Sequence, residues 1–211
     1  MPTLPTLLTF AVAATLLIIV PGPNVIYIIT RGIDQGRRAA VVSALGVEVG
    51  MLFHIGAAAL GLSALVASSP LLFSIVKYTG AAYLVWMGIT HLRARIAHLE
   101  TPHLRRQTAS RMFGQGLIVN VLNPKVGLFF IAFLPQFIDP GRGSATTQIL
   151  ILGAVFVTIA TLSDMVYALA SGAGARRRAS VARHRARFSG VVYLILGGMA
   201  AISGSGSAKQ S

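Results

Sequence analysis

The sequence predicts an all-α membrane protein with six transmembrane helices, arranged as two inverted three-helix repeats. Three observations carry that expectation. Hydrophobic residues make up 55% of the 211-residue chain and charged residues 11%, with a mean hydropathy of +0.74, whereas a soluble domain carries about 25% charged residues. The apolar residues gather into runs close to the roughly 20 residues that span a bilayer. The first and fourth runs are broken by proline in corresponding places, which is the sequence pointer to a transport site between inverted repeats.

The first span covers residues 4–30 and contains Pro21-Gly22-Pro23-Asn24. Pro23 has no N–H for the carbonyl of Ile19, and Pro21 has none for Leu17. Gly22 admits backbone angles that other residues avoid. Broken backbone at membrane depth is tolerated only inside protein or beside a water-filled cavity, so the stretch reads as a site. The alternative is a kink that only shapes packing. Residues 31–38 form a short polar connection to the second span, 39–67, and Ser68-Ser69-Pro70 is an uncharged turn.

The third span is 71–92, with Tyr83, Trp86 and His91 placed as an interfacial anchor at one end. A basic stretch, 93–111, leads to the fourth span, 112–138, interrupted by Asn120, Asn123, Pro124 and Lys125. Pro124 frees the carbonyl of Asn120. Residues 139–143 are turn-forming. The fifth span is 147–171, an arginine-rich stretch covers 175–187, and the sixth span is 188–203, ahead of a flexible tail at 204–211. One transporter domain results, with repeat 1 at 4–92, a basic cytoplasmic loop at 93–111 and repeat 2 at 112–203.

Charge sets the orientation. The chain carries 18 Lys+Arg against 5 Asp+Glu, a formal net charge of +13. Nearly all the arginines outside the spans fall in the connections after spans one, three and five. The positive-inside rule then puts those loops in the cytoplasm and both termini outside. Scattering over short loops argues against nucleic acid as partner. No Lys or Arg precedes Arg31, so the charged head of a signal peptide is missing. The chain has no cysteine, which removes disulfides, zinc thiolates and thiol redox chemistry.

Five ionisable residues lie inside spans: Glu48, His54, Lys77, Lys125 and Asp164. A charge at a helix centre costs about 2.5–3.5 kcal/mol on insertion scales, so each needs a partner or a wet cavity. At 1.5 Å per residue, Glu48 sits roughly 14 Å and Lys125 roughly 20 Å into their spans, near the midplane. Asp164 lies deeper toward the cytoplasm, and Lys77 is near enough to the outer end to snorkel. His54 continues a small-residue stripe, Gly46, Gly50, Ala58 and Gly61, that allows close approach by a helix of the same chain or of a second copy in a homo-oligomer. It serves either as a packed residue or as a proton carrier. Glu48 and His54 are six residues apart, about 240° around a helix, so they form no metal motif, and no metal or cofactor is expected.

The chain resembles the LysE/RhtB family of amino-acid exporters. Pro21-Gly22-Pro23-Asn24 looks like its first-helix signature, residues 77–88 (KYTGAAYLVWMG) like its third-helix signature, and Asn120-Val121-Leu122-Asn123-Pro124-Lys125 running into 129–137 (FFIAFLPQF) like its fourth. The likeness covers about residues 4–170. It implies a secondary transporter that exports amino acids or close derivatives, driven by the proton gradient, with cargo ranging across the family from basic amino acids to threonine, homoserine and its lactone.

The candidate site is Pro21, Gly22, Pro23, Asn24, Glu48, His54, Asn123, Pro124, Lys125 and Asp164. The N–H groups that open the half-helices after Pro23 and Pro124 attract a carboxylate, and Lys125 adds a charge. Glu48 or Asp164 takes the substrate ammonium or carries the coupling proton. Cation efflux by the same fold and a membrane protein without transport activity are the alternatives. A membrane enzyme is disfavoured, because neither H-E-x-x-H nor G-x-S-x-G occurs. The cysteine-free background makes the orientation testable. Ser69→Cys and Ser144→Cys should react with a membrane-impermeant maleimide on intact cells, and Thr101→Cys and Ser180→Cys only after permeabilisation. The reverse labelling would invert the topology.

Overall fold

The computed structural model describes residues 1–69, 71–72, 74–75, 78–79, 82, 89 and 106–171. Most of the expected third span lies outside these, as do Lys77, Tyr83, Trp86, His91, the basic stretches 93–105 and 175–187, the sixth span and the tail. The described residues are all-helical, with no strand among them.

The first expected span is two helices, α1 (Leu4–Ile19) and α2 (Pro23–Gln35), bent by 50°. Thr3 caps α1 by accepting from the Thr6 N–H at 3.3 Å, and α2 stops at Gly36, whose φ of 87 is open to glycine. Helix α3 (Arg37–Ser68) starts at once. The connection expected at 31–38 is therefore helix on both sides of a one-residue turn. The second broken span is α4 (Ala109–Val121) followed by α5 (Pro124–Leu128), a π-helical turn (Phe129–Phe133) and a 3₁₀ turn (Leu134–Phe137), bent by 42°. After a second 3₁₀ turn, Pro140–Arg142, α6 (Ala145–Ser171) completes the described chain. Helices α3 and α6 are each long and apolar enough to cross a bilayer, and each bent pair passes the same test when taken together.

Hydrogen bonds show which ends lie together. Met1 bonds to the Arg142 carbonyl, and Thr146 donates to Ser63 at 3.0 Å. At the other end, the Gln107 N–H donates to Gln35 at 2.9 Å, and Gly32 lies against Ser171. The two broken spans thus run in opposite senses, with α3 and α6 antiparallel between the same two ends.

Helix α3 packs chiefly on α4 and α6. A Cβ at Gly46 would lie 2.1 Å from the Phe113 carbonyl oxygen, one at Gly50 2.7 Å from that of Leu117, and one at Gly116 2.4 Å from that of Ser43. Backbone meets backbone on both sides of this contact, which only small residues permit. The Gly46–Gly50 part of the stripe is therefore filled from within the chain, while Gly61 faces open space. The outer surface carries Leu8, Val12, Leu52, Leu60, Ile131 and Val166, and the interior holds Asn24, Glu48, Asn120, Asn123 and Asp164. An apolar exterior around a polar interior suits lipid as solvent.

Gly46→Leu should lower the melting temperature of the detergent-purified protein by at least about 4 °C, since overpacking a tight contact costs about 1–3 kcal/mol or more. Gly61→Leu should leave it unchanged. Equal effects at the two positions would contradict the α3–α4 contact.

Candidate functional site

Both breaks follow from local chemistry. Val20 (φ −69, ψ 113) and Gly22 (φ −107, ψ −170) are extended, because Pro21 and Pro23 cannot donate to the preceding turn. Asn123 is likewise extended (φ −77, ψ 106), as expected for a residue just before proline.

The two breaks meet. Asn123 Nδ2 donates to Asn24 Oδ1 at 2.9 Å. Lys125 Nζ donates to the Val20 carbonyl at the end of α1, where the helix dipole favours a cation. Gly22 lies over the lysine stem: a Cβ there would stand 3.1 Å from Lys125 Cδ. The half-helix ends, expected to be equivalent, are not. Asn123 Oδ1 accepts from the Lys125 N–H at 3.0 Å, so α5 is capped from within, whereas Gly22 offers α2 no side-chain cap.

A cavity of about 40 Å³ lies at this junction, lined on its polar side by Gly22, Asn24, Asn123, Lys125 and Asp164. One water needs about 10–15 Å³ by this kind of measure, so the cavity has room for a few waters. Lys125 and Asp164 share it without forming an ion pair with each other. Glu48 faces Asp164 and Thr161, yet neither of its oxygens completes a hydrogen bond with a described residue. Glu48 does not line the cavity but stands behind Asp164. His54 is also off it. Its Nε2 lies 3.0 Å from the Asn120 carbonyl, the one freed by Pro124, and its ring stacks on Phe130 at 6.3 Å.

Among the described residues, two side-chain clusters flank the cavity along the helices. Toward the Met1 end, Phe10, Phe129, Phe130, Phe133, Phe137 and Phe156 pack ring to ring with centroids 4.9–5.9 Å apart. Toward the other end, Arg31 is 1% exposed and donates to Gln107 at 2.8 Å and Gln115 at 2.6 Å. Its guanidinium lies over the Tyr27 ring at 5.5 Å, and the Tyr27 hydroxyl donates to the Met112 carbonyl at 2.7 Å.

Arg31, expected in a short polar connection, is instead a buried residue of α2. The missed signal was Gly36, a helix-ending glycine five residues further on, which makes Tyr27 and Arg31 neighbours on one helical face. The apolar lining, including Met51, Phe156 and Ala160, had no sequence signal beyond hydrophobicity.

The family described as LysE type translocator matches residues 15–204. The chain is 32% identical over 195 residues to a leucine efflux protein of Enterobacter sp. (strain 638), covering 92% of each chain. It is 38% identical over 157 residues to a homoserine/homoserine lactone efflux protein of Salmonella typhimurium, covering 74% of each. No solved structure matches.

Asn24→Ala and Asn123→Ala should each destabilise the protein by about 1–3 kcal/mol, since each leaves a buried amide unpartnered. The double variant should cost less than the sum of the two. Strict additivity in thermal unfolding would show that the amides do not bridge the breaks.

Proposed function

We propose that this chain, which belongs to the LysE type translocator family and is a multi-pass membrane transporter rather than an enzyme, exports amino acids or close derivatives across a bacterial cytoplasmic membrane by proton-coupled alternating access. The observation that carries the reading is the cavity between the two breaks, lined by Lys125 and Asp164 that do not pair with each other. A free amino acid presents a carboxylate and an ammonium on one carbon. Lys125 and the uncapped start of α2 suit the carboxylate, and Asp164 suits the ammonium. The named cargoes of the leucine and homoserine efflux relatives agree with that chemistry.

Glu48 and Asp164 are the coupling groups in this reading. Two buried carboxyls that face each other are accommodated by one shared proton, and an arriving ammonium takes the proton's place beside Asp164. Arrival of substrate thus displaces a proton. Alternating access follows from rocking repeat 1 (4–92) against repeat 2 (112–203) around the meeting point of the breaks. The aromatic cluster closes one side and the Arg31 cluster the other, with the Arg31 end cytoplasmic and the N-terminus outside.

Proteoliposomes test the assignment. Lys125→Ala should lower amino-acid export at least about tenfold, the loss expected when a charged hydrogen bond worth about 1.5–3 kcal/mol disappears. Glu48→Gln should retain downhill exchange but lose uphill export driven by an imposed proton gradient. Wild-type rates in both variants, with the fold intact, would show the assignment to be wrong.

A further inference from the structure

We propose that His54 is a positioning residue for transport, a clamp across the bend between α4 and α5 that sets how readily the aromatic side of the site opens. The clamp stands on geometry, and its consequence for transport rests on the export reading above. His54 belongs to α3, an unbroken helix, and its ring meets the broken span on both limbs of the bend. Its Nε2 lies 3.0 Å from the Asn120 carbonyl at the end of α4. A carbonyl oxygen only accepts, so Nε2 carries the hydrogen. On the other limb, a Cβ on Gly127 of α5 would stand 3.4 Å from His54 Cε1 and 3.7 Å from Nδ1, so the ring passes against the backbone there. Three residues further on, the ring lies over Phe130 with an interplanar angle of 13° and centroids 6.3 Å apart. Asn123, Pro124 and Lys125 fall between these points of contact. A side chain that grips residues 120, 127 and 130 fixes the angle of the segment that carries Lys125.

The same grip reaches the aromatic cluster. Phe130 lies in the π-helical turn, a conformation frequent at functional sites, and packs on Phe156 at 5.2 Å and Phe129 at 5.9 Å. The Asn120 carbonyl has a second partner, the Asn123 N–H at 2.8 Å. That donor belongs to the break and moves with it, whereas the His54 donor belongs to α3. Only the His54 bond therefore resists a change in the bend. Asn120 is fully buried, so its carbonyl depends on donors from the protein while the site is closed. Once the aromatic side parts, water replaces the imidazole at little cost. The His54 contacts thus stabilise the closed form and not the open one, and their loss shifts the balance toward opening at that end.

The chain has no cysteine, so a single reporter thiol can be placed at either end. Ala132, in the π-helical turn, and Ala40, at the Arg31 end of α3, are both 0% exposed. Full-length Ala132→Cys and Ala40→Cys proteins in detergent are labelled with a maleimide, with and without a change at His54. His54→Leu should speed labelling at Ala132→Cys at least about fivefold and that at Ala40→Cys less than about twofold, the first being the shift expected when a hydrogen bond and a ring contact are lost together. His54→Phe keeps a ring on Phe130 and His54→Gln keeps a donor, so each should fall between the wild type and His54→Leu. Unchanged labelling at Ala132→Cys, or equal acceleration at both reporters, would overturn the clamp. In proteoliposomes with an imposed proton gradient, tested with leucine, homoserine, threonine and lysine, His54→Gln should retain the uphill export of the wild type. Loss of uphill export with downhill exchange retained would make His54 a proton carrier and overturn the proposal. If the folded wild type moves none of the four, the export reading falls, and the labelling still decides the clamp.

Discussion

A bilayer core offers no water to an open backbone group, and the rest of this structure depends on how that constraint is met. Pro21 and Pro23 at one place, and Asn123 and Pro124 at the other, stop a helix where hydrocarbon surrounds it on the outside. The groups set loose must then find partners within the protein. They find them in each other's segments and in α3. Lys125 reaches the end of α1, Asn123 reaches Asn24, and His54 reaches the carbonyl that Pro124 releases. Each break alone would be a costly defect. Placed face to face, they satisfy one another and leave a polar cavity between them.

That arrangement requires the helices to come close. Gly46 and Gly50 of α3 meet Gly116 and the carbonyls of α4 with no side chain between. The contact holds α4 where Asn120 and Asn123 can reach α3 and α2. Close packing of α3 on α4 keeps the cavity small. The aromatic cluster and the Arg31 cluster are different kinds of closure. Packed rings separate by losing dispersion contacts, whereas a buried guanidinium must exchange its glutamine oxygens for water. On the proposed transport reading, a site flanked by two unlike clusters is suited to opening on one side at a time.

The charge distribution has the same logic. Lys125, Asp164 and Glu48 are gathered at one level of the interior, but the cation and the carboxyls do not neutralise one another by direct contact. A fully paired cluster would be more stable and would have nothing left to offer a ligand. With Lys125 on a carbonyl and the two carboxyls beside each other, the proposed reading has one binding group of each sign available.

Much of the fold was legible in the sequence. Span length and the scarcity of charge determine a helical membrane protein, and the prolines determine where α1 and α4 must stop, because both follow from local backbone chemistry and the solvent. The polar residues at Asn24, Asn123, Lys125 and Asp164 stood out for the same reason: a polar side chain in an apolar run has a cost that needs a partner. Which partner was decided by tertiary structure alone. Nothing in the order of residues says that Asn123 meets Asn24 across 99 positions, that Arg31 is buried rather than solvated, or that His54 serves a broken helix rather than the cavity. Those outcomes depend on crossing angle and distance between helices far apart in the chain, and a hydrophobic wall such as Ala160 and Phe156 looks, residue by residue, like any other apolar face until two helices bring it beside a charge.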